Sequence, residues 1–159
     1  MMFLLSASVM AMSVVPTHPA PYRTKVPATF ESQGADRQSI QKLLDNYTKA
    51  VSTKDRALFE SLLLDKAIPF TGVPAAGMHG AHLIRTANYE AFRQGVFEGE
   101  PFTQYFRDIH IRQDGALAQV SLVFVNTTAT EKSWGWKTIE LVKADGEWKI
   151  AAEFFTGHN

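Results

Sequence analysis

Near Pro101 the chain changes its hydrophobic period, and that switch restricts the fold more than any other feature of the sequence. Upstream, Ile40, Leu43, Leu44, Tyr47 and Val51 recur at helical spacing and share one face of a helix. Asp36 stands where a carboxylate can cap that helix by accepting backbone N–H groups. Thr53-Lys54-Asp55 breaks the pattern, and Leu58, Phe59, Leu62 and Leu63 begin a second, shorter helix. Ile68-Pro69-Phe70 reads as an edge strand, because proline has no N–H for a sheet ladder. Gly72-Val73-Pro74 and Gly77 mark a loop, and a third helix is expected from about Ala81 to Gln94, with Leu83, Ile84, Ala87 and Ala91 inward. Downstream, the runs Gln104–Gln113, Ala116–Thr128, Ser133–Lys143 and Glu147–Thr156 show strand texture. Asp114-Gly115 and Asp145-Gly146 sit between runs and suit tight hairpin turns with positive φ. Helices followed by antiparallel strands predict an α+β fold. Neither layer can bury its apolar side alone, so the helices must cover one face of a strongly curved sheet. That arrangement encloses a conical hollow, the first functional clue.

The length of 159 residues suits one domain. Lys plus Arg and Asp plus Glu number 16 each, which argues against a general nucleic-acid binder, since that needs a basic footprint. The absence of cysteine removes disulfides, thiolate metal sites and a cysteine nucleophile. Residues 1–15 carry no charged side chain, and their apolar run is too short to span a bilayer stably. They fit the core of a signal peptide, with Ala11-Met12-Ser13 as the small-residue cleavage site, although a basic start is missing. Pro16, Pro19, Pro21 and Pro27 make residues 16–34 an extended tether. The expected organisation is a signal peptide over 1–15, a Pro-rich tether over 16–34 and one folded domain over 35–159, in a secreted or periplasmic protein.

Tyr47, Ala50 and Asp55, then Leu58, Leu62 and Leu63, then Gly80, form a pattern that resembles the first half of nuclear transport factor 2-like proteins. The stretch Leu141-Val142-Lys143-Ala144-Asp145-Gly146-Glu147-Trp148-Lys149-Ile150 is similar to the last hairpin of that superfamily. Within it, the SnoaL-like and lumazine-binding subgroups are the nearest in pattern. The resemblance implies a cystatin-like cone, a curved antiparallel sheet wrapped around N-terminal helices. It implies little about activity, because the superfamily hosts isomerases, dehydratases, hydrolases and plain binding domains. Ketosteroid isomerase uses an Asp base and an oxyanion hole of Tyr with a protonated Asp. Tyr47 is similar to that Tyr. The stretch Ile68–Gly72 lacks the base, and Trp134-Gly135-Trp136 stands where the second acid belongs, so that mechanism is not expected.

The residues leave several chemistries open. His110 is the candidate acid–base group, on a strand face with Phe106, Asp108 and Arg112, and Tyr47 its hydrogen-bonding companion. Strict alternation gives the competing reading, with Tyr105, Ile109 and Ile111 inward and His110 in solvent. His79 and His82 are three apart, but no third ligand is near, so no metal and no cofactor is expected. Trp134 and Trp136 share a face and either form an aromatic wall for a flat ligand or pack against the first helix or a partner subunit, with Gly135 between them open to close backbone approach. Glu153 is expected as a sheet-surface charge paired with Lys149 or Lys137, the alternative being a buried base. The expected lining of the hollow is Tyr47, Phe59, Phe70, Phe92, Phe106, Phe124, Trp134, Trp136 and Phe154.

Three functions follow as expectations. The first is an exported, non-catalytic protein that binds a small apolar or aromatic molecule and forms a homodimer. The second is a SnoaL-like isomerase, dehydratase or cyclase using Tyr47 and His110. The third is a protein-interaction module acting through its dimer surface. Neither nucleic acid nor stable membrane insertion is expected of any of them.

Overall fold

A computed structural model of the chain describes residues 29–74 and 88–158. The expected leader, most of the tether, His79, His82 and the start of the third helix lie outside the described residues. Helix α1 spans Gly34–Thr53 and buries Ile40, Leu43, Leu44, Tyr47, Ala50 and Val51, the face its spacing predicts. Asp36 lies in its first turn rather than at the cap, and its carboxylate accepts from Lys143 Nζ (2.6 Å), Gln113 Nε2 (2.8 Å) and Trp148 Nε1 (3.2 Å). Those partners tie the helix start to the sheet and hold the Asp36 carboxyl below its ordinary pKa, Lys143 foremost. Lys54 ends α1 in the left-handed conformation, and Asp55 caps α2 (Arg56–Ser61) by accepting from Leu58 N at 2.9 Å. Helix α3 (Tyr89–Arg93) runs into a π-helical turn, Gln94–Glu98. It buries Tyr89 and Phe92, not Ala91, which is exposed.

Strands β1 (Phe70–Pro74), β2 (Thr103–Asp114), β3 (Leu117–Thr127), β4 (Lys132–Ala144) and β5 (Glu147–Gly157) form one curved sheet in the order β1-β5-β4-β3-β2. The β2–β5 bounds lie within a residue of those expected. Strand β1 pairs parallel to β5 at the edge, and the other neighbours are antiparallel. Asp145 and Gly146 both take positive φ, 51° and 84°, as a two-residue turn twisted to match its strands requires. The concave face packs on α1 through Ile111, Val120, Leu122, Ile139, Leu141 and Ile150.

Two bulges decide which residues face inward. In the β4–β5 ladder Leu141 opposes Ile150 but Glu140 opposes Ala152, so Ala151 is an extra residue. Inward parity therefore passes from Trp148 and Ile150 to Glu153 and Phe155, and Phe154 turns outward. In the β2–β3 ladder, Asp108 and Ile109 together oppose Leu122, with Asp108 at φ 53°. Phe106 faces inward before that bulge and Ile109 and Ile111 after it, while Tyr105 and His110 face outward.

Among the described residues no helix is long and apolar enough to cross a membrane.

Candidate functional site

Inside the cone, three polar side chains meet in an otherwise aromatic core. Tyr47 arrives from the buried face of α1, Lys137 from β4 and Glu153 from β5. Lys137 Nζ donates to Tyr47 Oη at 2.6 Å and to Glu153 Oε1 at 2.7 Å, and Tyr47 O–H donates to Glu153 Oε2 at 2.9 Å. The Lys137 and Glu153 side chains are 3% and 0% exposed. An ammonium has three N–H groups, and these contacts use two. Five rings stand around Nζ: Tyr47 at 4.6 Å, Phe124 at 5.2 Å, Phe155 at 5.4 Å, Phe106 at 5.8 Å and Phe92 at 5.9 Å. Burial pushes the Lys137 pKa below its ordinary value, against the opposing pull of Glu153. Burial, and then the charge of Glu153, pushes the Tyr47 hydroxyl well above its own, so it stays protonated.

The hollow is largely filled, yet one open part reaches Lys137. It is a cavity of about 250 Å³ walled by Phe92, Phe102, Phe124 and Phe155. Lys137, Gln104 and Asn126 line it as well, and Lys137 Nζ stands 5.2 Å from the Phe124 ring of that wall, 5.4 Å from Phe155 and 5.9 Å from Phe92. Gln104 Nε2 donates to Asn126 Oδ1 at 2.7 Å, while Gln104 Oε1 is buried and has no partner among the described residues. That leaves an unpaired acceptor on a residue that lines the same cavity as Lys137. Gly72 makes room for the wall, since a Cβ there would come within 2.6 Å of the Phe155 ring. A larger depression of about 400 Å³ lies outside the cone, between α1 and the β4–β5 turn, where Lys42, Glu147 and Lys149 are its charged groups.

The expected site residues divide three ways. Tyr47, Phe92, Phe106 and Phe124 gather around Lys137, and Phe59 and Phe70 pack behind them in the core, Phe59 4.8 Å from the Tyr47 ring and Phe70 4.7 Å from Phe92. Trp134, Trp136 and Phe154 do not line the hollow. They stand on the outer face, 44%, 53% and 46% exposed. His110 also faces outward, in a shallow cleft with Glu31, Arg112, Gln119 and Ser121, so it does not share a cavity with Tyr47. Glu153 pairs with Lys137, as one alternative had it, but is buried rather than at the sheet surface. Among the described residues no cluster of three His, Asp or Glu side chains is placed to hold a metal.

A helix-lined curved sheet with a polar group at the inner end of an aromatic cavity defines the nuclear transport factor 2-like class of α+β cones. Within that class the chain belongs to the SnoaL-like domain family, whose pattern matches residues 32–152. Solved structures agree on the fold. A nuclear transport factor 2-like protein from Cytophaga hutchinsonii is 18% identical, with TM-score 0.63, covering 79% of this chain and 100% of its own. A cystatin-like protein of unknown function from Nostoc punctiforme is 12% identical, with TM-score 0.61, covering 80% and 95%. A nuclear transport factor 2-like protein of unknown function from Shewanella baltica is also 12% identical, with TM-score 0.61, covering 78% and 94%. Among curated proteins, none matches.

Proposed function

We propose that this chain is a small-molecule-binding protein. Its ligand has an apolar body and one oxygen acceptor, and it sits in the cavity with that oxygen on Lys137 Nζ. The observation that carries the reading is a buried amine with an unused donor, on a residue that lines an aromatic cavity and 5.2–5.9 Å from three of its rings, with the unpaired acceptor of Gln104 on the same lining. Buried ionisable groups perturbed by desolvation and a specific partner concentrate at functional sites. A pair of this kind is also weak evidence for stability, since apolar residues of similar volume hold a core as well. The cavity is below the ~300 Å³ at which drug-sized sites begin, so the ligand is small. The isomerase or dehydratase alternative keeps Tyr47 but takes Glu153 and Lys137, rather than His110, as its acid–base partners.

The test is a ¹H–¹⁵N NMR titration with acetophenone, benzyl alcohol and benzoate. Shifts are expected at the amides of Phe92, Gln104, Phe124, Lys137 and Phe155, and Lys137→Met should weaken binding at least tenfold. Shifts confined to the cleft between α1 and the β4–β5 turn, or none at all, would refute the proposal.

A further inference from the structure

We propose that Lys137 is a nucleophilic amine and that the cavity's ligands are aldehydes or ketones, which it holds covalently as an imine. The inference rests on the cavity reading above and adds a bond to it. Among the described residues Lys137 is the buried lysine. Other lysines have structural partners at the surface: Lys54 donates to the carbonyls of Gly99 (2.9 Å) and Glu100 (3.1 Å), Lys66 pairs with Glu60 and Lys143 with Asp36.

An ammonium cannot attack a carbonyl, so it must first lose a proton. Glu153 Oε1, 2.7 Å away, is placed to take it, and Tyr47 Oη stands 2.6 Å from the same nitrogen. Transfer from Nζ to the carboxylate along that 2.7 Å contact frees the nitrogen lone pair and leaves two neutral groups for the moment of attack. The lowered pKa of Lys137 points the same way.

The steps balance without any further reagent. The Nζ lone pair forms an N–C bond while the carbonyl π electrons move to oxygen. That oxygen takes a proton and Nζ gives one up, which yields a carbinolamine. The C–O bond then breaks as Glu153 returns its proton to the departing hydroxyl, and the nitrogen lone pair closes the C=N bond, leaving a protonated imine beside the Glu153 carboxylate. One water leaves, and nothing is oxidised or reduced. Tyr47 O–H remains beside the nitrogen as a hydrogen-bonding group. The rings of Phe92, Phe124 and Phe155 shield the imine from hydrolysis and accept an apolar substituent on the carbonyl carbon.

The test treats the full chain at pH 7 with limiting benzaldehyde, reduces with sodium borohydride and maps benzyl groups by peptide mass spectrometry. The expected result is labelling of Lys137 at least tenfold above any other lysine, lost when saturating benzyl alcohol competes. The mapping uses the wild-type chain, so it does not depend on a variant folding; Glu153→Gln, checked for native circular dichroism, should slow the labelling at least tenfold. Label spread over exposed lysines without enrichment at Lys137 overturns the imine. If benzyl alcohol nevertheless shifts the cavity amides, the cavity reading survives and only the covalent step is lost. If neither compound reaches those amides, both fail.

Discussion

Replacing Lys137 with methionine keeps an unbranched stem of similar volume and strands a carboxylate in the core. The two charged atoms stand 2.7 Å apart, with side chains 3% and 0% exposed. At an effective dielectric of about 20 they attract by roughly 6 kcal/mol, against a desolvation penalty of several kcal/mol per ion. The terms nearly cancel, so the intact pair adds little net stability. Removing one partner leaves the other's penalty unopposed. Lys137→Met and Glu153→Leu should therefore each cost about 3–5 kcal/mol, the range for a broken buried pair. The double variant should not cost the sum of the two. It strands only the Tyr47 hydroxyl, worth about 1–3 kcal/mol, so it should lie within about 3 kcal/mol of the wild type. Urea denaturation followed by circular dichroism, with midpoints compared at constant m, measures all four corners of the cycle. Additive single effects, or single costs under about 1 kcal/mol, would show that the pair is solvated and not the buried contact described here.

Other consequences are open to simpler checks. Glu60 accepts from Lys66 and Arg56, each at 2.7 Å, and its pKa is lowered from 4.5 to about 2, Lys66 being the first cause. A folded value below the unfolded one gives stability that is complete above pH 4.5 and lost as pH falls toward 2. Thermal melts should therefore fall more steeply over that window in the wild type than in Glu60→Gln, and parallel slopes would contradict the pairing. At Gly135 a Cβ would overlap the Thr156 carbonyl oxygen and lie 2.7 Å from the Phe124 ring, so Gly135→Ala should cost about 1–3 kcal/mol; an unchanged urea midpoint would count against that packing. Tyr105, Trp134, Trp136 and Phe154 are large, exposed aromatic side chains on the outer sheet face, which we propose pairs with a second copy of the chain. Sedimentation equilibrium should then give a dimer for the wild type and a monomer for Trp136→Lys, whereas a monomeric wild type at tens of micromolar would dismiss the idea.

Much of the architecture could be read from spacing, and the reasons are local. Periodicity marked the buried face of α1, and the Asp-Gly dipeptides placed the hairpins because few other residues accept positive φ there. The inner end of the cavity was harder to read. A bulge shifts the parity of every residue beyond it, and alternation alone does not say where an extra residue sits. Ala151 is such a residue, so strict alternation puts Glu153 at the surface and Phe154 in the hollow, the reverse of where they lie. The bulge at Asp108 and Ile109 likewise separated His110 from the face of Phe106. Lys137 carried a usable signal: it alternates with Ile139 and Leu141, a charged residue on the apolar face of its strand. The neighbouring Trp134 and Trp136 point the other way. Asp36 suited a cap by type and position, but its distant partners on β2, β4 and β5 claimed its oxygens instead.

The decisive measurement is a crystal structure of the full chain soaked with acetophenone. Density for one molecule is predicted between Phe92, Phe124 and Phe155, its oxygen or its imine carbon on Lys137 Nζ. A cavity occupied by water alone, or by rearranged side chains with Lys137 turned out to solvent, would contradict the assignment of this pocket as the binding site.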